Sequence, residues 1–212
     1  DIGSGDVTTD AVIPRRSCVK ARIIAKERGI VAGLDIMRQT FEMVDRRIKF
    51  KSKIKDGGWT WRGRTLAEVS GPASSILTAE RTALNFLERM SGIATLTSKF
   101  VKKVKRSKVK IMDTRKTAPG LRVLDKYAVK VGGGVNHRFG LYDAVLIKEN
   151  HIAITGSLKK AVSLARRKAK GTMEIEVEAR NLAEVKEAID AGVNTILLDN
   201  MNIRTLKKSV LL

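Results

Sequence analysis

The residues best suited to chemistry in this sequence fall in short charged clusters, each at the end of an apolar run. Ile111-Met112 leads into Asp113-Thr114-Arg115-Lys116, Val145-Leu146-Ile147 into Lys148-Glu149-Asn150-His151, and Ile196-Leu197-Leu198 into Asp199-Asn200. A further run, Met173 to Ala179, carries Glu174, Glu176 and Glu178 at every second position, so all three point to one face of a strand. The glycine-rich stretch GGGVNHRFG, from Gly132 to Gly140, adds His137 and Arg138. Arg115, Lys116, His137, Arg138 and Lys148 supply positive charge and donors, and guanidinium forks suit carboxylates and phosphates. Glu178 and Asp199 are acceptors suited to sugar hydroxyls or a hydrated Mg²⁺. Cations and carboxylates lining one cup point to a phosphorylated sugar together with another acid.

Other chemistries fit less well. No Ser/His/Asp or Cys/His nucleophile set stands out, which disfavours covalent acyl transfer. With 2 histidines and 1 cysteine, zinc is disfavoured and an internal disulfide excluded; the lone Cys18 fits a reducing cytoplasm. The triple glycine does not follow a strand as G-x-G-x-x-G, so a dinucleotide fingerprint is rejected and a flexible spacer ending a helix is the plainer reading. His151 reads better as a satisfied loop histidine than as a ligand-contacting one.

A cup of this kind needs a scaffold that brings strand ends together, as parallel α/β sheets do at their carboxyl edge. The second half of the chain alternates as such a fold should. Strands are expected at 108–114, 143–150, 173–179 and 194–200, helices at 121–131, 157–169 (N-capped by Ser157) and 181–192, and a last helix from near Asn202. Four strand units cannot close an eight-fold barrel. The first half differs. Strand-like runs over 18–33, a helix over 34–44, and Ile48, Phe50 and Ile54 alternating with lysines before a turn at Asp56-Gly57-Gly58 predict a half-buried antiparallel sheet. A long amphipathic helix over 78–105, with Gly92 marking a kink or a close packing contact, joins two domains, 1–105 and 106–212.

The composition sets the outer limits. The 212 residues are 43% hydrophobic, enough for a real core, and no apolar run reaches membrane-spanning length. Lys and Arg number 42 against 22 Asp and Glu, a net charge of +20. A basic solvated surface accounts for most of it, since runs such as 102–110 and 166–170 read as helix ends and linkers. Aromatics are 4%, so base-stacking platforms are scarce, and no helix-turn-helix, RNA-recognition or zinc-finger signature appears. The chain opens on Asp1 without a signal-peptide pattern, and in mid-motif, so upstream sequence is expected to be missing or removed.

Six stretches, in order and spread over nearly the whole chain, carry a family resemblance: GDVTTDAVIP, AERTALNFLERMSGIAT, DTRKTAPGLR, KYAVKVGGGVNHRFGLYDAVLIKENH, EIEVEARNL and ILLDNM. The sequence resembles the quinolinate phosphoribosyltransferases, also called nicotinate-nucleotide pyrophosphorylases (carboxylating). The resemblance implies an α/β fold of type II phosphoribosyltransferase kind, an N-terminal α/β sandwich domain plus an open α/β barrel that this chain leaves incomplete. It implies phosphoribosyl transfer from PRPP to quinolinate with loss of CO₂, giving nicotinate mononucleotide and pyrophosphate in NAD biosynthesis, with Mg²⁺ accompanying PRPP. By the same resemblance, Arg115, Lys116, His137, Arg138 and Lys148 line the quinolinate and PRPP pocket. Glu178 and Asp199 lie near the ribose and Mg²⁺, with Glu178 chosen over Glu176 by anchoring on Asn181-Leu182. Lys116, Lys148, Glu178 and Asp199 are the expected catalytic set. Arg81 would reach into the partner's site of a cytoplasmic homodimer. The family continues beyond Leu212 with turns that hold the PRPP 5′-phosphate, so this segment alone is expected to be inactive. A molybdenum-transport-associated paralogue of the same fold is the alternative, and a basic nucleic-acid-binding module a weaker one.

Overall fold

The computed structural model describes residues 1–169 and 173–212. Lys170, the last residue of the basic run that begins at Arg166, lies outside them. The chain divides into two compact units, Asp1–His137 and Arg138–Leu212.

The first unit is built on an antiparallel sheet. Strands β1 (Cys18–Ile24), β3 (Lys49–Ser52) and β5 (Thr65–Pro72) pair in the order β1-β5-β3, and β2 (Gly29–Ile30) pairs with β4 (Trp59–Thr60). A short helix, α1 (Val7–Val12), precedes them, with the Asp6 carboxylate accepting the Thr9 N–H at 3.0 Å. Helices α2 (Leu34–Val44) and α3 (Ala73–Val104) pack against the sheet. The apolar stripe Met37 and Phe41 of α2 meets Ile76, Ala79, Ala83 and Leu87 of α3 and Ile23, Leu66 and Val69 of the strands. Phe41, 1% exposed, contributes about 1.5–3 kcal/mol by leaving water. The turn at Asp56-Gly57-Gly58 also starts α2. The Asp56 carboxylate accepts the N–H groups of Gly33 (2.8 Å) and Leu34 (3.2 Å), replacing a local cap that Gly33 cannot supply.

Four expectations change here. The central strand β5 has no counterpart among the strands expected from sequence, although it is the strand on which the sheet is assembled. Helix α3 begins at Ala73 rather than Thr78, and a Cβ at Gly92 would meet nothing within 4 Å, so that glycine serves no close contact. The stretch 108–114 forms no strand. Met112 makes only an isolated parallel bridge to Val135, through Val135 N–H to Ile111 O (2.9 Å) and Asp113 N–H to Val135 O (3.2 Å). Helix α4 (Arg122–Val131) follows, close to its expected place.

The second unit runs β6 (Val145–Ile147), α5 (Glu149–Thr155), α6 (Leu158–Lys168), β7 (Ile175–Ala179), α7 (Leu182–Asp190), β8 (Thr195–Leu198) and α8 (Ile203–Val210). Its strands are parallel, in the order β6-β7-β8. Except for the short α5, which the sequence pattern does not mark, every element is where the strand–helix alternation puts it. The helices are positioned by their caps. Ser157, Asn181 and Asn202 accept the N–H of Lys160, Glu184 and Thr205 at 3.2, 2.9 and 2.9 Å, each contributing about 1 kcal/mol. Ile147, Leu158, Val162, Ile175, Val177 and Ala188 form the core between sheet and helices. The architecture is α/β throughout, an antiparallel sandwich unit followed by a parallel βα unit. Among the described residues no helix is long and apolar enough to cross a membrane.

Candidate active site

In the second unit the parallel strands deliver their charged ends as a group. Lys148 follows β6 directly, Glu178 lies near the end of β7 and Asp199 follows β8. In β7 the alternate residues Ile175, Val177 and Ala179 are buried in the core, which turns Glu174, Glu176 and Glu178 to the other face. Of these Glu178 is the enclosed one, 9% exposed, and its Oε2 lies 3.6 Å from Lys148 Nζ. Burial pushes the Glu178 carboxyl above its ordinary range; Lys148 opposes that, while Asp199 and Glu149 add to it. The Glu149 Oε2 is itself buried without a partner. Lys148 thus stands among several carboxylates, and the Arg180 guanidinium also feels the charges of Glu149 and Glu178.

Backbone conformation sharpens that edge. Asn200 takes a left-handed φ of 50° and its amide donates to Asp199 Oδ2 at 2.9 Å, fixing the carboxylate as the chain leaves β8. Asp199 N–H donates to Ala179 O at 2.9 Å, continuing the sheet past its last assigned pair. His151 acts locally, its Nδ1 accepting the Lys148 N–H at 2.9 Å at the start of α5. Arg138 donates from Nη1 to Ala144 O at 3.2 Å, while its Nε is buried without a partner. Asp143 accepts the Phe139 and Gly140 N–H groups at 2.6 and 2.9 Å, and these bonds, Phe139 first, hold its carboxyl below the usual range.

In the first unit Arg115 and Lys116 share a tight turn. Lys116 N–H donates to Thr114 Oγ1 (3.1 Å) and Thr117 N–H to Arg115 O (2.9 Å). Lys116 is exposed; Arg115 is half-buried, and its Nε has no partner. His137 is fixed through its backbone, its N–H donating to Asp113 Oδ1 at 2.9 Å and its carbonyl accepting from Lys126 Nζ at 3.0 Å. Arg81 lies exposed on α3, away from any assigned hydrogen bond.

The triple glycine is no loose spacer. A Cβ at Gly132 would fall 2.4 Å from Ala94 O, and one at Gly134 would fall 2.8 Å from Val129 Cγ1 and 2.9 Å from Thr97 Cγ2. The glycines let the end of α4 lie directly on α3, which sets where Val135 to His137 begin. Lys126 is a residue that sequence reasoning misses. It is 2% exposed, buried beside Asp113, and nothing local distinguishes it from its many surface counterparts.

Mg²⁺ is testable against this arrangement. No cluster of three or more His, Cys, Asp or Glu able to hold a metal occurs among the described residues. Glu178 and Asp199 fit the other mode of Mg²⁺ binding, in which one or two carboxylates supplement substrate phosphates and water.

Residues 6–91 match the family described as quinolinate phosphoribosyl transferase, N-terminal domain, and residues 93–212 match its C-terminal domain. A probable nicotinate-nucleotide pyrophosphorylase (carboxylating) of Bacillus subtilis is 46% identical over 200 residues, covering 94% of this chain and 69% of the relative. The chloroplastic nicotinate-nucleotide pyrophosphorylase (carboxylating) of Arabidopsis thaliana is 47% identical, covering 93% of this chain and 59% of the relative. The crystal structure of NadC from Streptococcus pyogenes superposes with a TM-score of 0.94 at 42% identity, over 100% of this chain and 75% of that one. The chain therefore spans 59% and 69% of the lengths of these two curated relatives.

Proposed function

The chain belongs to the quinolinate phosphoribosyltransferase family, and we propose that it carries most of the binding and catalytic surface for phosphoribosyl transfer from PRPP to quinolinate with decarboxylation. The enzyme is a pentosyltransferase of NAD biosynthesis. The observation that carries this reading is the pair of adjoining family matches, over 6–91 and 93–212, together with 46% identity to a carboxylating pyrophosphorylase.

The side chains suit the reaction's demands. The quinolinate ring nitrogen is the nucleophile, so the protein need supply none. As the bond from the anomeric carbon to pyrophosphate lengthens, positive charge grows on the ribose and negative charge on the leaving group. Arg115, Lys116, His137, Arg138 and Lys148 serve the two carboxylates of quinolinate and the phosphates. An ion pair at 4 Å contributes about 4 kcal/mol at an effective dielectric near 20, so a few fixed cations decide the rate. Glu178 and Asp199 take the ribose hydroxyls and its developing positive charge, and would hold Mg²⁺, which neutralises pyrophosphate when bound. Lys148 beside Glu178 favours its ionised form, opposing the burial and acidic neighbours that push that carboxyl up. Once the ring nitrogen is quaternary, its positive charge stabilises the electron pair left on C2 as the 2-carboxylate departs as CO₂, and that pair then takes a proton from water.

Arg81, exposed on α3, fits a role in the partner's site of a homodimer. Mixing inactive Arg81→Ala and Lys148→Met subunits should then restore part of the activity; no restoration would refute the shared site. The lone exposed Cys18 supports a reducing, cytoplasmic setting. The decisive test of the reaction is release of labelled CO₂ from carboxyl-labelled quinolinate by the full-length protein, dependent on PRPP and Mg²⁺. No release, or release without PRPP, would overturn the proposal.

A further inference from the structure

Helix α4 buries two charged residues side by side, Asp125 at 7% exposure and Lys126 at 2%. Each holds one end of the turn that carries Arg115 and Lys116. Lys126 Nζ donates to Asp113 Oδ1 at 2.5 Å and to His137 O at 3.0 Å. The same Asp113 oxygen accepts the His137 N–H, and its other oxygen accepts from the Asn136 amide at 3.0 Å, which also donates to Lys126 O at 3.0 Å. At the far end Asp125 accepts the Ala118 N–H at 3.2 Å while Arg89 of α3 grips it with Nε and Nη2, both at 2.8 Å.

A buried ammonium–carboxylate pair is a poor source of stability. Desolvation of both ions consumes most of the attraction, and an apolar pair of similar size would often serve as well. Its effect here is geometric and electrostatic. Asp113 is two residues from Arg115 and would be a natural partner for it. Lys126, His137 N–H and Asn136 occupy both Asp113 oxygens instead, and the Arg115 Nε is left without a partner. The arginine therefore remains uncommitted, on a turn whose ends are pinned.

We propose that Lys126, Asp113 and Asn136 are positioning residues for phosphoribosyl transfer: they lock the Arg115–Lys116 turn to the His137 backbone and keep Asp113 from neutralising Arg115. The proposal rests on the reaction assigned above. It predicts that the ion pair can be neutralised with little loss of stability but not without loss of substrate recognition.

The test uses the full-length protein, with thermal unfolding and quinolinate kinetics measured on the same samples. Lys126→Met alone should unfold at least about 6 °C early, because Asp113 is left buried and unpaired. The double variant Asp113→Asn/Lys126→Met removes that orphan charge and should melt within about 3 °C of wild type. Its kcat/KM for quinolinate should still fall by at least about 10-fold, mostly through KM. Recovery of kcat/KM together with Tm would show that the pair only holds the fold, and would overturn the proposal. Should the double variant fail to fold, Asn136→Ala decides, since it unpins one Asp113 oxygen without stranding a charge. A quinolinate KM raised several-fold, whether or not the two lost hydrogen bonds lower Tm by a few degrees, supports the lock, and an unchanged KM refutes it. The wild-type control separates the two ideas, because absence of PRPP-dependent CO₂ release there overturns the assigned reaction itself.

Discussion

Replacing Arg115 by alanine should cost substrate affinity and almost nothing in stability, and the size of each effect follows from its surroundings. Its Nε is buried without a partner, and the hydrogen bond that the residue gives the turn comes from its carbonyl oxygen, which alanine keeps. No acceptor is orphaned by the change, so the stability loss should stay within about 1 kcal/mol, or about 2–4 °C in Tm. Binding is another matter. A guanidinium fork on a quinolinate carboxylate makes paired charge-assisted hydrogen bonds, each worth roughly 1.5–3 kcal/mol. Allowing for imperfect desolvation, about 3 kcal/mol should be lost, a roughly 100-fold rise in Kd. Arg115→Lys keeps the charge and loses the fork, and should fall between, near 10-fold. Calorimetric titration of quinolinate into the full-length protein, paired with thermal melts, measures both quantities. A melt lowered by more than about 8 °C with Kd within twofold of wild type would refute the reasoning and make Arg115 a structural residue.

Other perturbations separate packing from chemistry. Gly132→Ala drives a Cβ to 2.4 Å from Ala94 O and should destabilise by about 1–3 kcal/mol, whereas Gly92→Ala, with no atom within 4 Å, should stabilise by about 0.5–1 kcal/mol; chemical denaturation ranks them. Glu178→Gln should lower turnover yet raise Tm at neutral pH. The folded carboxyl titrates above its ordinary 4.5, so the stability tied to its protonated form is present below that pH and lost as pH rises through the folded value. The Tm gain of the glutamine variant should therefore vanish in acid, and a gain that persists there would contradict this. Tyr127, whose hydroxyl donates to Asp56 at 2.8 Å, is pushed up to about 12 by burial and by that carboxylate, so Tyr127→Phe should remove the most alkaline step of the phenolate absorbance titration.

Local pattern is enough for much of this structure. Helix α2 is readable to the residue, because its apolar spacing is amphipathic and Gly33 precedes it. The three parallel strands are readable as apolar runs broken by charge. Strand β5 is not, and the cause is visible in its pairing. The register shifts between Ile23 and Ile24, where Ala67 and Thr65 are the partners, leaving Leu66 as an extra residue. Leu66 and Ala67 are consequently both buried, which breaks the alternation that marks a strand. The stretch 108–114 fails for the opposite reason: its alternation is good, but a strand needs a neighbour, and only Val135 bridges it. At the candidate site, charge at strand ends is legible because it is local. The burial of Lys126 is not, because it depends on Asp113 and His137 meeting it across 13 and 11 positions of chain.

The two family segments meet at residues 91 and 93, in the interior of α3, which runs unbroken from Ala73 to Val104. On one side of that border the helix carries Ile76, Ala83 and Leu87 of the sandwich core; on the other, Ala94 and Thr97 form the seat of the glycines before His137. A recombinant that exchanges one half at this border would sever a rod roughly 48 Å long and join turns selected against different neighbours. Boundaries inherited from sequence families are therefore poor crossover points here. A graft that keeps α3 whole together with α4 transfers the helix and the loops it seats as one heritable module.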